Sequence, residues 1–275
     1  MSVYLFATSE RPDQYLNPIL HCLQYKNVSK VVFVHIKGLE HTNSNGSTVK
    51  ERGISAAVLR NVQVLLDSLA LAGEYRYFIG KKSGERVKLQ DYYSTEQLAT
   101  IQNTYKQFLD KEANWSHRDI EYLDLRKELA NIYRKERGSI FDVTAINKRY
   151  LGDILAAGII EGLKEIYTFD LKITPNFDEP WKMLFHEFLT EKQKGDCYQY
   201  VNIVNTPIFR ESASSILVRT LPLKISLVIA PILIIILIAI NFYYGSTNWA
   251  IQTLAIMSTV AGLLSVYYNF FPPRR

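Results

Sequence analysis

The sequence predicts an α/β protein: a doubly wound, mostly parallel sheet, followed by a C-terminal two-helix transmembrane hairpin. Three observations predict it. Continuous apolar runs at Ser2 to Thr8 and Val31 to Ile36 alternate with stretches of helical periodicity, the pattern of strands buried on both faces of a sheet covered by helices. Between about 119 and 171 a helix, a short strand, a polar turn, a second helix and another strand follow one another directly. Finally, from Ile225 to Pro273 there is no Asp, Glu, Lys or Arg, and Gly245-Ser246-Thr247-Asn248 divides that tail into two halves.

Taken in order, the strand at Ser2 to Thr8 ends in small polar residues. Pro12 then opens a helix over Asp13 to Lys26, whose Leu16, Ile19, Leu20 and Leu23 share one face. The second strand, Val31 to Ile36, carries His35, read as a hydrogen-bonded core residue. Residues 38–53 are polar and form a loop, and a helix follows from about Ile54 to Ala72. Tyr75 to Ile79 and Arg86 to Tyr92 flank a Gly-Lys-Lys-Ser-Gly-Glu turn and predict a hairpin or small insertion; Thr95 to Asp110 is helical. From about Asp119 the apolar positions Leu123, Leu125, Leu129, Ile132 and Tyr133 give an amphipathic helix ending at Gly138. Ile140 to Val143 is a strand, Thr144 to Asn147 a turn, Lys148 to Leu163 a helix and Glu165 to Leu171 a strand. Such units cross over with one hand and build a Rossmann-like sheet. Trp181 to Glu191 reads as helix and Tyr198 to Val204 as strand, so residues 172–206 are either a small α+β extension or the end of the sheet.

The tail predicts membrane insertion. Its halves, 225–244 and 249–271, are each long enough as a helix to cross a hydrocarbon core of about 30 Å. Phe242, Tyr243, Tyr244 and Trp249 cluster at one end of the hairpin and Tyr267, Tyr268, Phe270 and Phe271 at the other, as interfacial aromatic belts do. Arg210, Arg219, Lys224, Arg274 and Arg275 lie outside its open end, which orients both termini to the cytoplasm of a cell membrane. A buried core hairpin is the alternative. Ala255, Ser258, Gly262 and Ser265 form a small-residue stripe for close helix packing, within the hairpin or between subunits. Residues 1–206 are then a cytoplasmic domain and 207–224 a coupling segment.

The 275 residues carry a formal charge of +5, part of which belongs to the membrane flanks; the rest favours an anionic ligand. Cys22 and Cys197 are too few for a disulfide framework or thiolate metal site. The N-terminus lacks the form of a signal peptide. No Gly-x-Gly-x-x-Gly, Walker loop, Gly-x-Ser-x-Gly or His-Glu-x-x-His occurs, which leaves dinucleotide, P-loop, hydrolase and zincin readings unsupported. His186-Glu187 lacks a second His at ligand spacing. No catalytic residue, metal ligand or cofactor is assigned.

Ligands of open α/β sheets bind beyond the carboxyl ends of the strands, near the switch in strand order. Two segments meet that description: Thr8, Ser9, Glu10 and Arg11 after the first strand, and Thr144 with Asn147, Lys148 and Arg149 where a polar turn opens a helix. Asn147 would read a base or ribose edge, while Lys148 and Arg149 would neutralise phosphate; a plain helix cap with solvated charges is the other reading of the second segment. Asp142-Val-Thr144-Ala-Ile-Asn147-Lys148-Arg149 resembles the second ligand motif of CARF domains, the CRISPR-associated Rossmann folds that bind cyclic oligoadenylates. Asp142, Thr144, Asn147 and Lys148 match that motif position by position, and Ala145 and Ile146 stand where it has glycines. The first ligand loop of the family corresponds to Thr8 through Arg11.

The resemblance implies a homodimer or higher homo-oligomer that shares a cyclic oligonucleotide across its subunits. It also implies a role as a membrane effector in antiviral defence, with the lipid bilayer as second partner. The expected function is a ligand-gated effector that alters membrane permeability. The alternatives are a membrane-anchored nucleotide-processing enzyme that slowly cleaves the bound ring and a tethered interaction module.

Overall fold

The computed structural model describes residues 1–38, 54–189 and 197–212, Gly262, and the backbone of 41–42 and 48–49. Apart from Gly262, both expected spans, and the coupling segment from 213 to 224, lie outside the described residues. The chain divides into two units, Met1–Thr206 and Pro207–Arg275; of the second, residues 207–212 are helical.

The first unit is built on a six-stranded sheet. Its strands are β1 (Ser2–Phe6), β2 (Lys30–Lys37), β7 (Trp115–Glu121), β8 (Ile140–Asp142), β9 (Ile166–Leu171) and β10 (Tyr198–Asn202), in the order β10-β9-β8-β1-β2-β7. All neighbours run parallel except β10, which is antiparallel to β9. Within 172–206, the strand Tyr198–Asn202 thus completes the sheet. Strand order reverses at β1, whose two neighbours are β2 and β8. Two small antiparallel pairs stand apart: β3 (His41–Thr42) with β4 (Thr48–Val49), and β5 (Glu74–Arg76) with β6 (Arg86–Lys88).

Helices cover both faces, which is why β1 from Val3 and β2 over Val31 to Val34 are continuously apolar. On one side Val3, Leu5, Val31 and Phe33 pack with α1 (Asp13–Tyr25), α2 (Ser55–Asp67) and α3 (Thr95–Leu109). On the other, Tyr4, Phe6, Val32 and Val34 pack with α4 (Leu125–Lys135) and α5 (Lys148–Glu161). The period of two in side-chain direction divides each strand between the layers. α2 runs on into a π-helical turn, Ser68–Ala72, and together they form the one described helix long and apolar enough to span a bilayer. Val58, Val62, Leu65, Leu66 and Leu69 are fully buried in the core, so it is a core helix.

Helix ends follow local chemistry. Ser94 and Gln97 form a reciprocal capping box at the start of α3. Asn147 caps α5 by accepting from Arg149 N at 3.0 Å, and Gly162 ends α5 with φ +68°, a conformation that glycine adopts without strain. Two expectations are corrected. Asp119, assigned to the start of a helix, lies in β7, and α4 begins only at Leu125. Trp181 to Glu191 contains a 3-10 turn, Pro180–Met183, and the single-turn α6, Phe185–Phe188, broken where Leu184 takes an extended conformation.

Candidate functional site

The carboxyl ends of β1 and β8 lie side by side at the strand-order switch, and their following loops meet. Thr8 Oγ1 donates to the carbonyl of Ala145. These loops border a cavity of about 520 Å³, in the range of small-molecule sites. Thr8, Ser9, Arg11 and Thr144 line it with Phe169 and Leu171 of β9, Asn17 of α1, and the chain from Pro175 to Met183.

The first loop is pinned from beneath by Tyr15, a residue with no sequence signal for this role. Its hydroxyl accepts from Thr8 N (3.1 Å) and Ser9 N (3.2 Å) and donates to Ser9 O (2.9 Å). Arg11 N donates to Ser9 Oγ. With those amides spent inside the loop, what it offers an anion is its side chains, above all Arg11. That guanidinium forms a two-pronged pair with Asp13, Nη2 to Oδ2 at 2.6 Å and Nε to Oδ1 at 3.3 Å, and sits 5.9 Å over the Phe177 ring. The pair raises the pKa of Arg11 and leaves further guanidinium donors for a ligand.

The second loop is stabilised by Asp142. Its buried carboxylate accepts from Thr144 N at 3.0 Å and from Tyr200 Oη at 2.9 Å. Burial pushes the acid up to about 6, against the lowering effect of those bonds. Thr144 Oγ1 accepts from Phe169 N at 2.7 Å, tying the loop to β9. Asp142 and Thr144 therefore shape the loop through internal bonds. Asn17 Nδ2 donates to Met183 O at 2.8 Å, while Asn17 Oδ1 is buried with no hydrogen-bond partner among the described residues, an arrangement that costs about 1–3 kcal/mol.

The structure brings together four of the eight expected ligand residues: Thr8, Ser9, Arg11 and Thr144 line one cavity. Glu10 is exposed outside it, its carbonyl accepting from Asn61 Nδ2 at 2.9 Å. Asn147, Lys148 and Arg149 are exposed and do not line the cavity. Asn147 is used as the α5 cap, and Arg149 lies 5.5 Å over the Tyr150 ring. The lining that sequence reasoning missed, Phe169, Phe177 and Met183, comes from β9 and the segment after it. Among the described residues no group of His, Cys, Asp and Glu is arranged to hold a metal ion. No family model, curated protein or solved structure matches the chain.

Proposed function

We propose that the first unit is a Rossmann-like, CARF-like sensor that binds a cyclic oligonucleotide in the cavity at the β1–β8 switch, and that the charge-free tail is its membrane output. One observation carries the reading. Two loops leaving adjacent parallel strands at the switch are locked to each other through Thr8 and Ala145, and they border a cavity with Arg11 at its mouth and Phe169 and Phe177 in its wall. Arginine with aromatic faces is the chemistry that holds phosphate and base together. The length and lack of charge of 225–244 and 249–271 support the membrane half of the proposal. Ligand binding would bias the effector only through a difference in affinity between its two arrangements.

Titration calorimetry of the full chain in lipid nanodiscs, with AMP, cyclic di-AMP and cyclic tri-, tetra- and hexa-adenylate, tests the sensor. Micromolar or tighter binding of a cyclic compound, weakened about tenfold or more in Arg11→Ala, is expected; no binding of any of them overturns it. Release of a potential-sensitive dye from vesicles holding the chain, on adding the bound compound, tests the output. Chromatography of that compound after incubation separates a sensor from a ring-cleaving enzyme.

A further inference from the structure

Beside the main cavity lies a smaller one of about 210 Å³, made largely by the β5–β6 hairpin. The two share Arg11, Asp13, Phe177 and Pro180, so they are neighbouring lobes of one trough. The smaller lobe falls below the usual size of an independent ligand site. Its lining is chemically distinct. Arg11, Lys81 and Lys82 face one carboxylate, Asp13, and Tyr75, Tyr77 and Phe78 supply aromatic surface.

The hairpin presents these groups from a fixed tip. Gly84 N donates to Tyr77 O at 2.8 Å, Tyr77 N to Glu85 O at 3.0 Å, and Ser83 Oγ to Phe78 O at 2.9 Å. Gly80 and Gly84 turn the chain at φ +80° and +89°, values that a side chain would oppose. Tyr77 Oη donates to Asp178 O at 3.2 Å, which fastens the tip to the segment carrying Phe177. Lys82 Nζ lies 5.4 Å over the Tyr77 ring. Tyr75 is buried in the core and Tyr77 and Phe78 pack against it, whereas Lys81 and Lys82 are exposed and the core does not need them.

We infer that the hairpin lobe is a second nucleotide subsite, which takes the second phosphate and base of the cyclic ligand of the proposed sensor. This rests on the proposed function and adds to it the place of the second nucleotide unit and the residues that hold it. One unit occupies the larger cavity with its phosphate on Arg11. The next phosphate meets Lys81 and Lys82, and its base stacks on the aromatic wall formed with Tyr77 and Phe78. A single nucleotide would leave the lysine lobe empty.

The test is the compound series above with the full chain and its Lys81→Ala/Lys82→Ala variant, each measured across a range of salt. Both lysines are exposed, so the variant folds; its thermal midpoint should match the parent. A cyclic oligoadenylate should bind the variant about tenfold or more weakly, the loss of roughly 1.4 kcal/mol. Binding to the variant should also depend less steeply on salt than binding to the parent, because two screened charges are gone. Affinity and slope unchanged in the variant overturn the second subsite while leaving the sensor standing. AMP binding the parent as tightly as any oligonucleotide does the same. No binding of any compound overturns both readings.

Discussion

The hydroxyl of Tyr200 donates to the carboxylate of Asp142 across 2.9 Å, joining the middle of the antiparallel strand β10 to the end of β8 beside the ligand loop. Cys22 Sγ in turn donates to Tyr200 Oη at 3.4 Å, so the bond lies in the core and out of water. The stability of the domain depends on the protonation of that buried acid, because burial disfavours its charged form more than these bonds favour it. Burial pushes Asp142 from 3.8 up to about 6, so between those values the folded chain holds a proton that the unfolded chain releases. The stabilising contribution is complete below about pH 4 and is lost as pH rises through about 6. Asp142→Asn has no such proton. The stability of the native sequence relative to Asp142→Asn should therefore fall by on the order of 1–3 kcal/mol from about pH 4 to 6.5, read by urea unfolding of residues 1–206. His21, pushed down to about 4 mainly by burial, has the opposite slope and cancels in that difference.

Tyr15→Phe should leave the fold intact and loosen the first ligand loop. It removes one hydroxyl that makes three hydrogen bonds to Thr8 and Ser9. The released amides are near solvent, so the expected cost is about 1–2 kcal/mol. Amide exchange at Thr8 and Ser9 should quicken by more than at β1, and ligand affinity should drop several-fold. Equal quickening at both would show that Tyr15 acts on the whole sheet.

Arg11→Ala and Lys148→Glu should separate in effect. Arg11 lines the cavity, and its loss also leaves Asp13 without its partner, facing the ligand. Lys148 is exposed at the start of α5, outside the lining. Calorimetry should show about 10–100-fold weaker binding for the first and about threefold for the second, the difference between a close charged contact and a screened surface charge. The reverse order would move the ligand from the cavity to the exposed α5 terminus.

Gly158→Ala should destabilise the domain by about 1–3 kcal/mol through overpacking. A Cβ added there would come within 2.5 Å of Ile166 Cδ1, a fully buried side chain on β9. The neighbouring Gly152 faces open space, and Ala there should be neutral or mildly stabilising. Thermal denaturation of the two variants makes the comparison.

How much of this was legible depended on whether a residue's role is local. β1, α1, β2, β8, α5 and β9 were legible because continuous apolar strands and apolar stripes at helical spacing come from burial in successive elements. β7 was not. In Trp-Ser-His-Arg-Asp-Ile-Glu only Trp115 and Ile120 are buried, since the strand sits at the sheet edge, where charged side chains discourage further pairing. That polar pattern merged in the sequence with the start of α4. At the site, the loops after β1 and β8 followed from the strand-order rule. Asn147 was legible as polar but serves as a cap, one of its two readings. Tyr15, Phe177 and Met183 were hidden, because each reaches the site through tertiary packing that no local pattern records. The tail expectations lie outside the described residues and rest on composition alone.

The reversed direction of β10 has a mechanical consequence. Tyr198 pairs with Leu171 near the cavity, whereas Asn202 pairs with Tyr167 at the far end of β9. The chain therefore departs from the sheet at the rim opposite the cavity, after a run of about 16 Å at strand spacing. In the proposed sensor, β10 is the strand that would carry a change at the cavity to that opposite rim. Tyr200, at the middle of β10, ties that strand through Asp142 to the loop that borders the cavity.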